Sequence, residues 1–280
     1  MILALINYAR VRELGEVFRY LGREKVLLFE DIDPQYRAIK ALANACGDSA
    51  QLLVVLNALI SYRLVMTGEE YWDTFSRYFS SRCGEIRFEE LVNVFKDFIQ
   101  RFNRVLASQK VSRVEKAIKC RKLAEAVYKE VLESAWRAIA SCLDSEPESK
   151  TIVFAVKMLY YARKALGKAD EVPMEIPIPV DGRIALITYY SGALEVSAPR
   201  INREFLMRYS EAIRSIWSEV GKYSNISPLN LDSVVWFFGK YTSVGSRMKI
   251  VEEAYKELKN IMTLNDVELI VNNLFYRLPP

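Results

Sequence analysis

Lys150 and Asp181 are the two side chains in this sequence best placed to do chemistry together. Lys150 opens a run to Leu166 that lacks Gly and Pro and is rich in helix formers, with Ser149 before it as a natural N-cap. Asp181 follows Ile176-Pro-Ile-Pro-Val180 and precedes a second helical run, so it too stands at an N-cap. An amine at one helix start and a carboxylate at the next are the parts of a lysine nucleophile with an acid–base partner. The plainer alternative is a solvated lysine and an ordinary cap. Lys157 argues for more, because it is the only charged residue between Ile152 and Tyr161, and lysines are rarely buried unless paired. Helical spacing puts Lys150, Phe154, Lys157 and Tyr161 on one stripe. Two amines and two rings make a poor core face, but they suit a pocket that stacks a flat ligand beside a nucleophile.

The elements around this pair must bring it together. Pro173, Pro177 and Pro179 fix φ and cannot donate backbone hydrogen bonds, so the connection is a stiff brace. A helix of about 17 residues puts its far end roughly 25 Å from Lys150, and the segment from Gly167 to Asp181 reaches at most about 50 Å. The chain can therefore return, and the expected separation of carboxylate and amine is about 4–7 Å, in a cleft between helical lobes. Helical periodicity runs through nearly the whole chain: Leu3 to Leu21 stopping at Gly22, Asp33-Pro34 to about Cys46, Ser49 to Met66, Glu69 to Phe79, and Phe88 to Phe102. Ser108 to Cys142 reads as one or two long helices, and Asn202 to Val220, Leu231 to Lys240, Ser246 to Asn260 and Leu264 to Tyr276 complete the set. The only candidate strand is Val172 to Val180. The pattern predicts an all-α fold, residues 1–280 forming one compact helical unit of two lobes.

Composition excludes several classes. With 51% apolar and 26% charged residues among 280, the chain is globular. It has no run of 18 apolar residues, which speaks against a membrane span, and its start lacks the basic region of a signal peptide. There is no histidine, which removes Ser-His and Cys-His dyads and His-ligated zinc. Cys46, Cys83, Cys120 and Cys142 are too far apart for a zinc or iron–sulfur motif, and they are expected to be reduced thiols of an intracellular protein. No phosphate-binding glycine loop appears, so neither metal nor cofactor is expected. A net charge of +4 permits nucleic acid binding without arguing for it. Lys110, Arg113, Lys116, Lys119 and Lys122 recur every three residues, which winds around a helix and reads as a solvated face, though neighbours could grip adjacent phosphates.

Six segments, in order, carry a resemblance. They are Asp33-Pro-Gln-Tyr-Arg37, Leu56 to Arg63, Glu69-Glu-Tyr-Trp72, Lys150-Thr-Ile-Val-Phe154, Pro177-Ile-Pro-Val-Asp181, and Pro228-Leu-Asn-Leu-Asp232 through Trp236. They resemble the archaeal GO glycosylase family, a divergent branch of the helix-hairpin-helix DNA glycosylases. The resemblance covers roughly Leu14 to Lys240. Arg82 to Glu148 is divergent, and the last forty residues match no recognised pattern.

The resemblance implies a two-lobed helical DNA glycosylase that excises 8-oxoguanine and cleaves abasic sites through a lysine Schiff base, without cofactor. Lys150 falls on the family's Schiff-base lysine and Asp181 on its catalytic aspartate. Gln35, Trp72, Phe154, Lys157, Asp232 and Trp236 fall on positions lining its base pocket. Better-known relatives carry a Gly-x-Gly hairpin turn, where this chain has the proline brace. The implied partner is DNA containing 8-oxoguanine or abasic sites, met by a monomer inside the cell, in the cytoplasm or nucleoid. Burial, the helix N-terminus and Lys157 would each disfavour the Lys150 ammonium, and a lyase needs the neutral amine. Two rival classes remain: a helical nucleic-acid-binding protein without chemistry, and an interaction scaffold.

Overall fold

The computed structural model describes residues 4–84, 86–129, 131–168, 171–198 and 200–280. The chain opens with a short strand, β1 (Ala4–Ile6), followed by a long helix, α1 (Tyr8–Ile32). Where helix was expected from Leu3, Ala4–Ile6 instead pairs antiparallel with β2 (Leu194–Val196), Ala4 opposite Val196 and Ile6 opposite Leu194. Asn7 starts the helix, its Oδ1 accepting the Arg10 N–H at 3.1 Å. Gly22, at φ 79°, kinks α1 at the expected stop, but helix resumes because Val26 and Phe29 lie buried beyond it. The chain divides into two compact units, Ile32–Pro173, and Met1–Asp31 with Met174–Pro280.

The first unit contains α2 (Pro34–Cys46), α3 (Ser49–Ala58), α4 (Gly68–Ser80), α5 (Leu91–Phe102), α6 (Ala107–Lys119), α7 (Arg121–Lys129), α8 (Leu132–Cys142) and α9 (Lys150–Ala165). Its core gathers around α9, which packs against α2, α3 and α8 and is buried on nearly every side beyond its first turn. An aromatic cluster of Tyr71, Trp72, Phe75, Phe79, Phe95 and Phe98 fills the space beside α4 and α5, and none of these rings is more than 1% exposed. Each such ring contributes about 1.5–3 kcal/mol by leaving water. The helix expected to run to Met66 ends at Ala58. There Ser61 Oγ donates to the Ala58 carbonyl at 2.9 Å, Asn103 Nδ2 donates to the Ile60 carbonyl at 2.9 Å, and Arg63 turns to φ 48°. Side-chain donors have taken carbonyls that a continuing helix would use. The long helical tract after Ser108 is cut into α6, α7 and α8, the first break falling at Cys120, whose backbone is extended at ψ 97°.

The cysteines correct the expectation of reduced thiols. Cys46 bonds Cys83 and Cys120 bonds Cys142, with Cα atoms 5.2 and 5.7 Å apart. Packing of α2 on α4 brings the far ends of those helices together, and the α7–α8 pair folds Cys142 back to Cys120. Sequence separations of 37 and 22 residues hide both closures.

The second unit adds α10 (Gly182–Tyr190), α11 (Arg203–Leu206), α12 (Ser210–Ser224), α13 (Pro228–Phe238), α14 (Arg247–Leu258) and α15 (Leu264–Leu274). Its centre is α13, which packs against α10, α12 and α15. Ser227 caps α13 by accepting the Leu229 N–H at 3.3 Å, with Pro228 at the first position, so the helix starts before the expected Leu231. The single helix expected from Asn202 is interrupted after α11, and α12 runs through Gly221 to Ser224, closed by Asn225 at φ 58°. The brace forms no strand. Its prolines withhold donors, while Ile176, Ile178 and Val180 are at most 3% exposed and anchor it in the core.

Candidate active site

Lys150 occupies the first position of α9, after Ser149 in extended backbone at ψ 138°. Its side chain is exposed, so the burial anticipated from sequence does not act on it. One turn on, Phe154 is half-buried and meets Trp72 edge-to-face at 6.0 Å and 70°. Trp72 itself is 1% exposed and packs on Phe75 at 5.5 Å, so its indole is a wall already braced by protein rings.

Two turns on from Lys150, Lys157 is 2% exposed. Its Nζ lies 3.9 Å from Asp33 Oδ2 and 5.3 Å from the centre of the Tyr161 ring. The Tyr161 hydroxyl donates to the same Asp33 oxygen at 2.9 Å. Asp33 Oδ1 accepts the Gln35 N–H at 2.8 Å and so caps α2, placing Gln35 in a buried first turn beside the pair. Asp33 was legible only as a cap. That it is also the counter-ion of Lys157 depends on α2 packing against α9. The rare buried lysine was the one signal that a carboxylate had to be found.

In the other unit Asp181 caps α10, its Oδ1 accepting the N–H groups of Arg183 and Ile184 at 2.8 and 3.0 Å. The carboxylate is thereby held by backbone at the end of the buried brace, with its side chain half-buried. Arg183 lies over the half-exposed Trp236 ring, 4.6 Å from its centre. Gly239 makes this approach possible, since a Cβ there would sit 2.8 Å from the Arg183 Cβ. Asp232, one turn before Trp236, is 4% exposed and lies within α13, which Ser227 caps. Gln35, Trp72, Lys150, Phe154 and Lys157 therefore belong to the first unit, and Asp181, Asp232 and Trp236 to the second.

The basic repeat along α6 and into α7 departs most from expectation. Lys116, Lys119 and Lys122 are exposed, but Lys110 is 0% exposed and Arg113 is half-buried. Lys110 Nζ donates to the Asn103 carbonyl at 3.2 Å and to Asn103 Oδ1, and lies 5.1 Å from the Tyr62 ring centre. Burial lowers its ammonium from 10.5 to about 8. Arg113 Nη2 donates to Thr151 Oγ1 at 3.0 Å, which puts a guanidinium beside the residue that follows Lys150. Burial lowers this group as well.

The chain matches the family model for N-glycosylase/DNA lyase (AGOG) over residues 15–270, beyond the Lys240 limit of the recognised motifs and into the last forty residues. It is 34% identical over 245 residues to the N-glycosylase/DNA lyase of Pyrobaculum aerophilum, covering 86% of this chain and 90% of that protein. The Methanopyrus kandleri protein of the same description is 36% identical over 225 residues, covering 76% and 83%. That of Thermococcus kodakarensis is 33% identical over 263 residues, covering 89% and 92%. The fold is similar to the crystal structure of an 8-oxoguanosine-complexed 8-oxoguanine DNA glycosylase from Pyrobaculum aerophilum, with a TM-score of 0.75, 30% identity, and coverage of 98% of this chain and 100% of that one. Helix-start lysine, braced aspartate and aromatic walls thus sit within a match that spans nearly the whole sequence, and the chain belongs to the AGOG family of N-glycosylase/DNA lyases.

Proposed function

We propose that this N-glycosylase/DNA lyase excises 8-oxoguanine from DNA, with Lys150 as nucleophile and Asp181 as its carboxylate partner. The observation that carries the reading is the order along α9: an exposed amine, then a half-buried ring against Trp72, then a buried cation held by Asp33. A flat base drawn out of the stack needs aromatic walls and fixed polar groups, and this stripe supplies both next to an amine. Gln35, Asp232 and Trp236 complete the set of base-pocket candidates.

The reaction follows from the groups. The Lys150 nitrogen bonds to the sugar C1′ as the bond from C1′ to the base breaks, and the departing base takes up the proton that the attacking amine loses by way of Asp181. Asp181 accepts the proton lost by the amine and opposes positive charge growing on the sugar. Ring opening yields an imine. Loss of a C2′ proton then expels the 3′ phosphate, and water releases the lysine. The mechanism requires the Asp181 carboxylate to act directly on the amine or through one water. The same reading places the protein with the genome, inside the cell, as a monomer. The two disulfides do not oppose that location, since intracellular proteins of hyperthermophilic archaea carry such bridges.

Borohydride trapping on an 8-oxoguanine duplex tests the assignment. The wild type should cross-link. Lys150→Gln should bind the duplex but neither cross-link nor cut, and Asp181→Asn should keep its fold while base excision slows by at least about 100-fold. Cross-linking that persists in Lys150→Gln would move the nucleophile elsewhere, with Lys157 the first suspect.

A further inference from the structure

Arg183 holds two parts of the second unit at once. Its backbone N–H donates to Asp181 Oδ1 at 2.8 Å, and its guanidinium carbon lies 4.6 Å from the centre of the Trp236 ring. Both contacts follow from the packing of α10 on α13 and on the turn after it, Gly239–Tyr241. One residue thus links the carboxylate, through its main chain, to the ring, through its side chain.

The approach of Arg183 to the ring is built into the fold. A Cβ at position 239 would stand 2.8 Å from the Arg183 Cβ, 3.4 Å from its Cδ and 3.5 Å from its Cγ, so a larger residue would displace the whole stem. Gly239 has φ −58° and ψ −20°, a right-handed helical backbone open to every L-residue. Glycine is therefore needed there for space and not for conformation. Among the described residues the guanidinium makes no hydrogen bond and has no carboxylate partner, and its one contact of this kind is with the Trp236 ring. A half-buried cation is thus laid on an indole face with no anion to draw it away.

We propose that Arg183 tunes the Trp236 ring for an electron-rich purine and so sharpens selection of 8-oxoguanine. This rests on the reading of Trp236 as a wall of the base pocket. With one face under the guanidinium, the half-exposed indole has its other face to offer a base. The cation draws the π electrons toward itself and leaves that second face poorer in electrons. A base stacked there is held more strongly the richer its own ring is. The C8 oxygen and N7–H of 8-oxoguanine make its ring richer than that of guanine, and its amino group makes it richer than 8-oxohypoxanthine. Arg183 is then a positioning residue, which acts on the base through the ring.

The test uses the full chain, with single-turnover excision from duplexes carrying 8-oxoguanine or 8-oxohypoxanthine, and cleavage of a duplex whose abasic site is made in advance. Arg183→Met keeps an unbranched stem beside Gly239 and the backbone donor to Asp181, but removes the charge. It should slow excision of 8-oxoguanine by about 3- to 10-fold, and of 8-oxohypoxanthine by less. Both losses should exceed the loss in abasic-site cleavage, in which no base takes part. Arg183→Lys, which keeps a cation by the ring, should fall between methionine and wild type on 8-oxoguanine. In a Trp236→Ala background, Arg183→Met should cost nothing further, because the ring through which it acts is gone. Wild-type rates in Arg183→Met, equal loss on the two bases or on the abasic site, a lysine variant no better than methionine, or an undiminished cost without the ring would each overturn the proposal. If Arg183→Met does not fold, Arg183→Lys decides: it should lose more on 8-oxoguanine than on 8-oxohypoxanthine, and equal rates overturn the proposal. A Trp236→Ala variant that excises and discriminates as the wild type does would instead remove the ring from the pocket, and so overturn the reading on which this one rests.

Discussion

Lys157 and Lys110 are both buried in the same unit, 2% and 0% exposed, and the protein treats them differently. Lys157 faces a carboxylate oxygen that also accepts from Tyr161, and the other oxygen is bonded to the α2 backbone. Lys110 faces an amide and a ring, and its neighbour Arg113 faces a hydroxyl. The first arrangement is electrically closed and can hold a pocket wall in one geometry. The second sets two cations against neutral groups.

The sharpest way to break this comparison is to open the closed pair. Asp33→Asn keeps an oxygen able to cap α2, yet removes the carboxylate charge beside the Lys157 cation. Removing one partner of a buried pair costs about 3–5 kcal/mol, and the 3.9 Å separation sets the expectation near about 3. Lys157→Gln should cost less, about 1–2 kcal/mol, because Asp33 keeps its bonds to Tyr161 and Gln35. Denaturant unfolding of both variants reads the asymmetry. Lys157→Gln should also slow base excision while still forming an imine at an abasic site made in advance. Equal loss on both substrates, or equal stability of the two variants, would show that the pair does not hold the pocket.

The same contrast of closed and open runs through the tryptophans. Trp72 is enclosed by Phe75 and Phe154, whereas Trp236 keeps an exposed part beside Arg183. Stacking a base on an aromatic ring is worth roughly 1–3 kcal/mol. Trp236→Ala should therefore weaken selection of 8-oxoguanine over guanine by about 10- to 100-fold, with abasic-site cleavage intact. Trp72→Ala should instead lower stability, by about 3–5 kcal/mol, as a large core ring does. A Trp236 variant that discriminates normally would remove that ring from the pocket.

What could be read in the sequence followed from local rules. The starts of α2, α9 and α10 were legible because Asp33-Pro34, Ser149 and Asp181 are capping signals written in neighbouring residues. The helix that should have run to Met66 stopped early because its carbonyls are taken by Ser61 and by Asn103, and Asn103 lies 43 residues away. The β1–β2 pairing and both disulfides were hidden for the same reason, since each joins residues far apart in the chain. On the site, the stripe from Lys150 to Tyr161 was visible as spacing, while its counter-ion Asp33 was not. Arg113 and Lys110 were visible only as a periodic run, and periodicity could not say which members the packing would bury.

The last contrast concerns Lys110, and pH reads it. Its folded ammonium titrates at about 8, below the ordinary 10.5, because burial opposes the charge. Between those values the unfolded chain holds the proton and the folded chain does not, so removing protons from solution favours the folded state. The cost of the buried charge is constant below about pH 8, shrinks as pH rises from 8 to 10.5, and is gone above it. Lys110→Met lacks the titration. Melting temperatures of the two proteins, followed from about pH 7 to about pH 10, should therefore diverge, the wild type gaining on the variant as pH passes 8. Burial raises Tyr71 and Tyr241 above their ordinary 10.0, which acts at higher pH and equally in both proteins, so it leaves the difference untouched. A flat difference would mean that Lys110 reaches water or an anion in solution.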